Sequence, residues 1–319
     1  MKHQSITISN RAGKEVTAQD PVIISASRAT DIPAFYAEWF FRRLDEGYVV
    51  WRNPYNGLPS YVSFQNCRFV VFWSKNPRPL LPLLPRLKER GIGCYIQYTL
   101  NDYEGDGLEP NLPPLAQRID TFKQLVEQLG SGSVVWRFDP LVLTDKIGIE
   151  ELLTKISGIA DELKGYAEKL VFSFADIGSY RKVGRNLESA GIHYREWDEA
   201  SMREFARRLD ELNRERWNFR LATCSEAIPL EEYGIEHNRC IDPDLIARLS
   251  NDTEHLRLLN KAGHDGGQRK LCGCILSKDI GNYNTCPHGC AYCYANTSPS
   301  SATTNYHRHL QNPNLETII

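Results

Sequence analysis

Three cysteines, Cys286, Cys290 and Cys293, follow a C-x3-C-x2-C spacing inside Tyr283-Asn284-Thr285-Cys286-Pro287-His288-Gly289-Cys290-Ala291-Tyr292-Cys293-Tyr294-Ala295-Asn296. Thiolates at that spacing can hold three corners of a four-iron cluster, since thiolates are the normal protein ligands of iron–sulfur clusters. The run has no fourth cysteine, so the fourth iron keeps an open position, and an open metal position is where catalysis takes place. A zinc reading pairs the same three thiols with His288, His307 or His309. Against it, zinc knuckles usually pair two short Cys-x2-4-Cys units, which this run lacks. Four further cysteines, Cys224, Cys240, Cys272 and Cys274, suit a closed, fully ligated site, either an auxiliary iron–sulfur cluster or zinc. The bland alternative for these four is unliganded buried cysteine. Cys67 and Cys94, the remaining two of nine, sit within or beside apolar runs and read as packing residues.

The other chemistry-bearing residues stand where apolar runs end. The first run leads into Ser27-Arg28-Ala29-Thr30-Asp31, the second into Ser74-Lys75-Asn76 and the third into Asn101-Asp102. The fourth carries Arg137 and ends at Asp139-Pro140, the fifth ends at Asp176 and the sixth at Cys224-Ser225-Glu226. Arg28, Asp31, Lys75, Arg137, Asp139 and Asp176 are therefore candidates to bind a substrate, with Lys75, Arg137 and Asp139 as the catalytic candidates. Strand-end salt bridges are the alternative for Arg137 with Asp139.

The runs that must position these groups read as strands over Pro21–Ser27, Arg68–Trp73, Gly93–Thr99, Ser133–Phe138, Lys169–Ala175 and Asn218–Thr223. Each is short and apolar, as a strand buried on both faces should be. Helical patterns lie between them at Pro33–Glu46, Pro79–Arg90, Pro114–Leu129, Ile149–Leu163 and Ser201–Glu215, and Asn56-Gly57 marks a β-hairpin between Tyr48–Arg52 and Tyr61–Phe64. Tyr36, Trp39, Phe40 and Phe41, at helical spacing, read as core. Six β/α units in series predict an α/β fold with parallel strands and right-handed crossovers. With no Gly-rich phosphate loop after the first strand, the pattern favours a partial parallel (β/α)6 TIM-like barrel, whose strand-end loops build a site at one face. Residues 1–226 form this barrel. Residues 227–319 add a helix over Asp242–Lys261 and an irregular cysteine-rich segment at the barrel mouth, with a polar tail from Ser298.

Bulk properties limit the classes of function. The chain has 319 residues, 41% hydrophobic and 24% charged, which is the balance of a water-soluble globular protein. A net charge of −2 argues against a general nucleic-acid coat and leaves a local basic cleft open. The polar start lacks a secretory core and no apolar run is long enough to span a bilayer, so a cytoplasmic location without membrane partners is expected. In that compartment clustered thiols mean metal or redox chemistry.

The cysteine run closely resembles the signature loop of the radical S-adenosylmethionine (SAM) superfamily, and its flanks resemble the branch that includes spore photoproduct lyase. The resemblance implies a catalytic 4Fe-4S cluster whose open iron binds SAM, an external electron donor such as a flavodoxin, and an aromatic residue near the adenine, here Tyr292. It makes a nucleic-acid or nucleotide substrate conceivable; the substrate and reaction class are not written in these residues. The superfamily places this loop after its first strand, whereas here it follows all six. The chain is similar to an uncharacterised family with this arrangement, through Ser27-Arg28-Ala29-Thr30-Asp31-Ile32-Pro33, Phe72-Trp73-Ser74-Lys75-Asn76-Pro77 and Arg137-Phe138-Asp139-Pro140. A permuted barrel, with the cysteine loop reaching the same mouth from the other end of the chain, would account for it. The family's Gly-Gly-Glu motif is not visible; Asn101, Asp102 or Lys75 would take over its contact to the SAM amino group, with Arg28 for the carboxylate. The competing classes are a non-catalytic iron–sulfur protein of electron transfer or redox sensing and a zinc-stabilised nucleic-acid-binding module.

Overall fold

The computed structural model describes residues 3–250, 265, 268 and 271–319. Antiparallel strands β1 (Gln4–Ser9) and β2 (Glu15–Asp20) come first, then β3 (Ile23–Ala26). Asp31 starts α1 (Ile32–Phe35) by accepting from the Ala34 N–H at 3.0 Å, and α2 (Ala37–Glu46) ends on Gly47 at φ +85°. The helix expected over Pro33–Glu46 is thus two, broken at Tyr36, whose hydroxyl donates to the Thr285 carbonyl at 2.6 Å. Strands β4 (Tyr48–Arg52) and β5 (Pro59–Ser63) form the expected hairpin, and with β1 and β2 they make a four-stranded sheet in the order β1-β2-β5-β4.

Next come β6 (Phe69–Ser74), a 3-10 turn over Arg78–Leu83 with α3 (Pro85–Glu89), and β7 (Gly93–Thr99). Pro82 and Pro85 lack the N–H groups a continuous helix needs, which divides the expected Pro79–Arg90 element. Then follow α4 (Leu115–Leu129), β8 (Val134–Leu141), β9 (Leu143–Thr144), α5 (Ile149–Leu163) and β10 (Lys169–Phe174). After them come α6 (Arg181–Ser189), β11 (Tyr194–Arg195), α7 (Glu199–Arg216), β12 (Arg220–Thr223) and β13 (Ile235–His237). The last described elements are α8 (Pro243–Leu249), β14 (Lys278–Asp279) and α9 (Pro299–Gln311). The expected cap holds at α8, where the Asp242 side chain accepts from the Asp244 N–H, but the helix ends at Leu249 with Ser250 extended, short of the expected Lys261; 251–261 lie outside the described residues.

The protein is α/β. Its main sheet has eight strands in the order β13-β12-β10-β8-β7-β6-β3-β14, all paired in parallel. Six of these are the strands read from sequence. The two short additions, β13 and β14, come from beyond residue 226 and occupy opposite edges of the sheet.

Alternate residues of each strand face opposite sides. Val70, Phe72, Ile96, Tyr98, Trp136, Leu170 and Phe172 pack in the large core that includes the helices. That core contains Leu152, Leu153, Ile156, Ile159, Ala160 and Leu163 from one stripe of α5, and Tyr36, Trp39, Phe40 and Phe41 as expected. Each fully buried large aliphatic side chain contributes roughly 1.5–3 kcal/mol. Ile23, Phe69, Val71 and Tyr95 face the other way, against Cys240, Ile241, Ile246, Cys274 and Ile275. Because every strand of this sheet is parallel, all eight point their C-terminal ends to one side, and the candidate residues collect there.

Candidate functional site

The cysteine loop is fastened by hydrogen bonds at several points. The Thr30 hydroxyl lies 2.7 Å from the Thr285 hydroxyl and 2.8 Å from the Asn282 carbonyl. Asn111 donates to the Pro287 carbonyl at 3.1 Å, the Ala291 N–H to the Leu108 carbonyl at 2.9 Å, and Asn296 to the Cys286 carbonyl at 2.7 Å. Gly289 lies at φ +72°, a left-handed backbone conformation that favours glycine. Cys290 is buried, while Cys286 and Cys293 are partly buried. Burial raises all three thiols above their ordinary value. The Lys75 ammonium counteracts this at Cys290 and Cys293 by favouring the thiolate. His288, inside the loop, sets its Nε2 2.7 Å from Asp31 Oδ2. Asp31 also accepts from the Ser74 hydroxyl at 2.6 Å and the Lys75 N–H at 2.7 Å. Burial alone would raise that carboxyl, but His288, Ser74 and Lys75 together hold it below its ordinary value.

Beside the thiols lies a compact polar network. Lys75 Nζ donates to Glu109 Oε1 at 2.7 Å and to the Tyr292 hydroxyl at 2.8 Å, and Tyr292 donates to Glu109. Asn101 Nδ2 bonds Glu109 Oε1 and the Tyr292 hydroxyl, both at 3.1 Å, while its Oδ1 accepts from the Asp139 N–H at 3.0 Å. Glu109 is fully buried. Burial raises its carboxyl, yet Lys75, Tyr292 and Arg118 outweigh that and lower it. Lys75 is raised, because Glu109 and Cys290 overcome its desolvation. Asp139 takes the Arg137 guanidinium (Nε at 3.1 Å) and the Ser173 hydroxyl. The Trp73 ring lies between two cations, with Arg28 at 4.9 Å and Arg137 at 5.4 Å from its centroid.

The four other clustered cysteines meet over the face of the sheet that carries Ile23, Val71 and Tyr95. Cys224 Sγ and Cys240 Sγ stand 3.4 Å apart. Cys274 Sγ accepts from the N–H of Ile241, the residue after Cys240, at 3.3 Å, and Cys272 packs on the same apolar cluster. Arg137 NH1 donates to Cys240 Sγ at 3.3 Å, and Arg28 NH2 to Cys274 Sγ at 3.6 Å. The four cysteines thus gather in one cluster. Among the described residues, no group of three or more His, Cys, Asp or Glu side chains is drawn closely enough to hold a metal ion as it stands.

The structure brings together Lys75, Asn101 and Tyr292 beside the three thiols, and joins Arg137 to Asp139 in a salt bridge. Two expected residues point elsewhere: Asp102 pairs with Lys155 at 3.9 Å, and Asp176 accepts from the Ser179 N–H at 3.2 Å. His309 binds the Ile318 carbonyl through Nδ1 at 2.8 Å and packs on Tyr36, while His288 gives Nε2 to Asp31 and keeps Nδ1 buried without a hydrogen-bond partner among the described residues. Glu109 was not legible beforehand. It lies outside the strand ends, in an irregular stretch, and only the packing of Leu108 against Ala291 carries it to Lys75. Cavities of about 370 Å³, at Glu199, Met202 and 226–229, and about 160 Å³, lined by Gln97, Lys169 and Asn238, lie apart from the cysteine loop.

The family DUF1848, a domain of unknown function, matches residues 23–295. The chain belongs to that family. No curated protein and no solved structure matches it. The DUF1848 span takes in all eight strands of the main sheet and all seven clustered cysteines, and leaves out β1, β2 and α9. Among the described residues no helix is long and apolar enough to cross a membrane.

Proposed function

We propose that this DUF1848 chain is a radical SAM enzyme whose catalytic 4Fe-4S cluster is held by Cys286, Cys290 and Cys293. The observation that carries the reading is the side-by-side placement of two features. One is a loop presenting three thiols and no fourth cysteine. The other is a desolvated Lys75–Glu109–Tyr292–Asn101 network at the same end of the sheet. The donor set fits the group, since thiolates bind iron–sulfur clusters and Lys75 favours the thiolate form. When bound and reduced by an external one-electron donor of the flavodoxin kind, the cluster supplies the electron that cleaves SAM to methionine and a 5′-deoxyadenosyl radical, which takes a hydrogen atom from the substrate.

The residues of this chain position and protect that chemistry. Glu109 and Asn101 fix the Tyr292 hydroxyl, so the ring between Cys290 and Cys293 keeps one orientation. Lys75, Arg137 and Asp139 are the charged groups available to a substrate, while Arg28 and Asn101 are the candidates to bind SAM.

We also read the sheet as a partial barrel, permuted so that its cysteine loop arrives from the C-terminal side. Two observations support this: its strands run in consecutive chain order except β14, and the Ile275 N–H donates to the Ile241 carbonyl at 3.2 Å, linking the segments beyond the two outer strands. A reducing, cytoplasmic setting suits nine cysteines that are all free.

The test is anaerobic reconstitution with iron and sulfide, followed by electron paramagnetic resonance of the reduced protein with and without SAM. The expected result is a cluster signal that changes on SAM addition, with 5′-deoxyadenosine formed, and that is absent from Cys286→Ala. A cluster blind to SAM would move the assignment to electron transfer. A protein that takes up no iron would overturn it.

A further inference from the structure

We propose that Cys224, Cys240, Cys272 and Cys274 form a separate mononuclear site that takes one zinc ion as a tetrathiolate and ties the two edges of the main sheet together. Cys224 follows β12 and Cys240 follows β13, at one edge. Cys272 and Cys274 precede β14, at the other. No short stretch of sequence juxtaposes these segments, yet the four cysteines gather in one apolar cluster, with Cys224 and Cys240 in sulfur contact.

Distance selects the metal type. Four sulfurs about 2.3 Å from one tetrahedral ion stand about 3.8 Å from each other, close to the 3.4 Å between Cys224 and Cys240. The thiolates of a four-iron cluster each bind a different iron and stand far wider apart. The gathered cysteines would close into a tetrahedral shell by side-chain rotation as their thiol protons are lost.

The surroundings suit thiolates. Cys240 Sγ accepts from Arg137 NH1 and Asn238 Nδ2, both at 3.3 Å, and Cys274 Sγ accepts from the Ile241 N–H at 3.3 Å and Arg28 NH2 at 3.6 Å. N–H donors of this kind are the outer partners of metal-bound sulfur, and two of the four are cationic. On binding, four S–H bonds break, four protons leave to solvent and four Zn–S bonds form. The centre carries a charge of −2 facing two guanidiniums, and no electron is transferred. Ile23, Val71, Tyr95 and Ile241 pack around the buried Cys240 and Cys274, with Cys224 and Cys272 half-buried at the rim, and four thiolates fill a tetrahedral shell, so the site is closed to further ligands and structural.

The site can be tested free of the catalytic cluster. The Cys286→Ala/Cys290→Ala/Cys293→Ala variant keeps all four of these cysteines. Purified in reductant, it is expected to hold one zinc per chain by mass spectrometry. Exchanged with Co²⁺ alone, it should show the intense visible bands of tetrahedral cobalt thiolate. A chelator should lower its melting temperature, because metal binding is linked to folding. Adding Cys272→Ser and Cys274→Ser should abolish zinc uptake; if that variant does not fold, the cobalt spectrum of the parent still decides. A folded parent with no zinc and four reactive thiols would overturn the proposal. So would a Cys224–Cys240 disulfide in peptide mapping, or uptake of iron with sulfide at these four positions. Failure here would leave the catalytic reading standing, and loss of that reading would leave the zinc content unchanged.

Discussion

The two cysteine sets are built on opposite principles. Cys286, Cys290 and Cys293 come from one stretch of eight residues, and backbone and amide hydrogen bonds from 30, 36, 108 and 111 hold that stretch in place. Their charged neighbour is Lys75, which is itself tied up by Glu109. Cys224, Cys240, Cys272 and Cys274 come from three segments that meet only when the sheet has formed, and their charged neighbours donate directly to sulfur. The contrast teaches that a local loop can leave a metal position open, whereas a site assembled across sheet edges gains by being closed. On the two proposals made above, chemistry would belong to the first set and stability to the second.

The largest effects should come from exchanging one thiol in each set. Cys290→Ala is expected to abolish reductive SAM cleavage and leave zinc content and melting temperature nearly unchanged. Cys274→Ser is expected to lose the zinc and several kcal/mol of stability, read by urea unfolding. Equal loss of stability in both variants would break the comparison.

The polar network beside the open site gives the next effect. Lys75→Met leaves buried Glu109 without its closest cation and with only Arg118 at 4.0 Å, which should cost about 3 kcal/mol, whereas Lys75→Met with Glu109→Leu should recover most of it. Denaturant unfolding of both variants separates a structural pair from a catalytic one, because activity should stay low in the double variant.

The same pair should shape the pH profile. Glu109 is lowered from its ordinary 4.5, so its contribution is present above about pH 4.5 and is lost as pH falls through its lower folded value. Lys75 is raised from 10.5, so its contribution is full below that pH and is lost only as pH rises through the higher folded value. The stability difference between the wild type and Glu109→Gln should therefore narrow on acidification below pH 4.5. A constant difference there would mean that the carboxylate charge does not matter.

The smallest effect tests the last helix against the loop it braces. Ser298 caps α9 by accepting from the Ser301 N–H at 3.2 Å, and Asn305 on that helix donates to the Asn284 carbonyl at 2.9 Å. Ser298→Ala should cost about 1 kcal/mol with little change in the zinc site.

The sequence by itself determined the six central strands, most helices between them, the β4–β5 hairpin and the identity of the clustered thiols. These are local quantities: runs of apolar residues, turn residues and cysteine spacing all lie within a dozen positions. Where local cues conflicted, at Tyr36 and at the prolines of the turn over Arg78–Leu83, the element divided. Where they were weak, the element was missed. α9 buries only Ala302 and His309, so its polar sequence shows no stripe, and only Ser298-Pro299 hinted at a helix start. β13 and β14 are two or three residues long and exist because a neighbouring strand edge offers them partners. Tertiary structure alone decided that Glu109 meets Lys75, that Asp102 turns to Lys155, and that Cys224 meets Cys240 while Cys274 arrives from the opposite edge. Each of these joins residues through the closure of long loops, and no pattern within a local window records which distant segments will pack together.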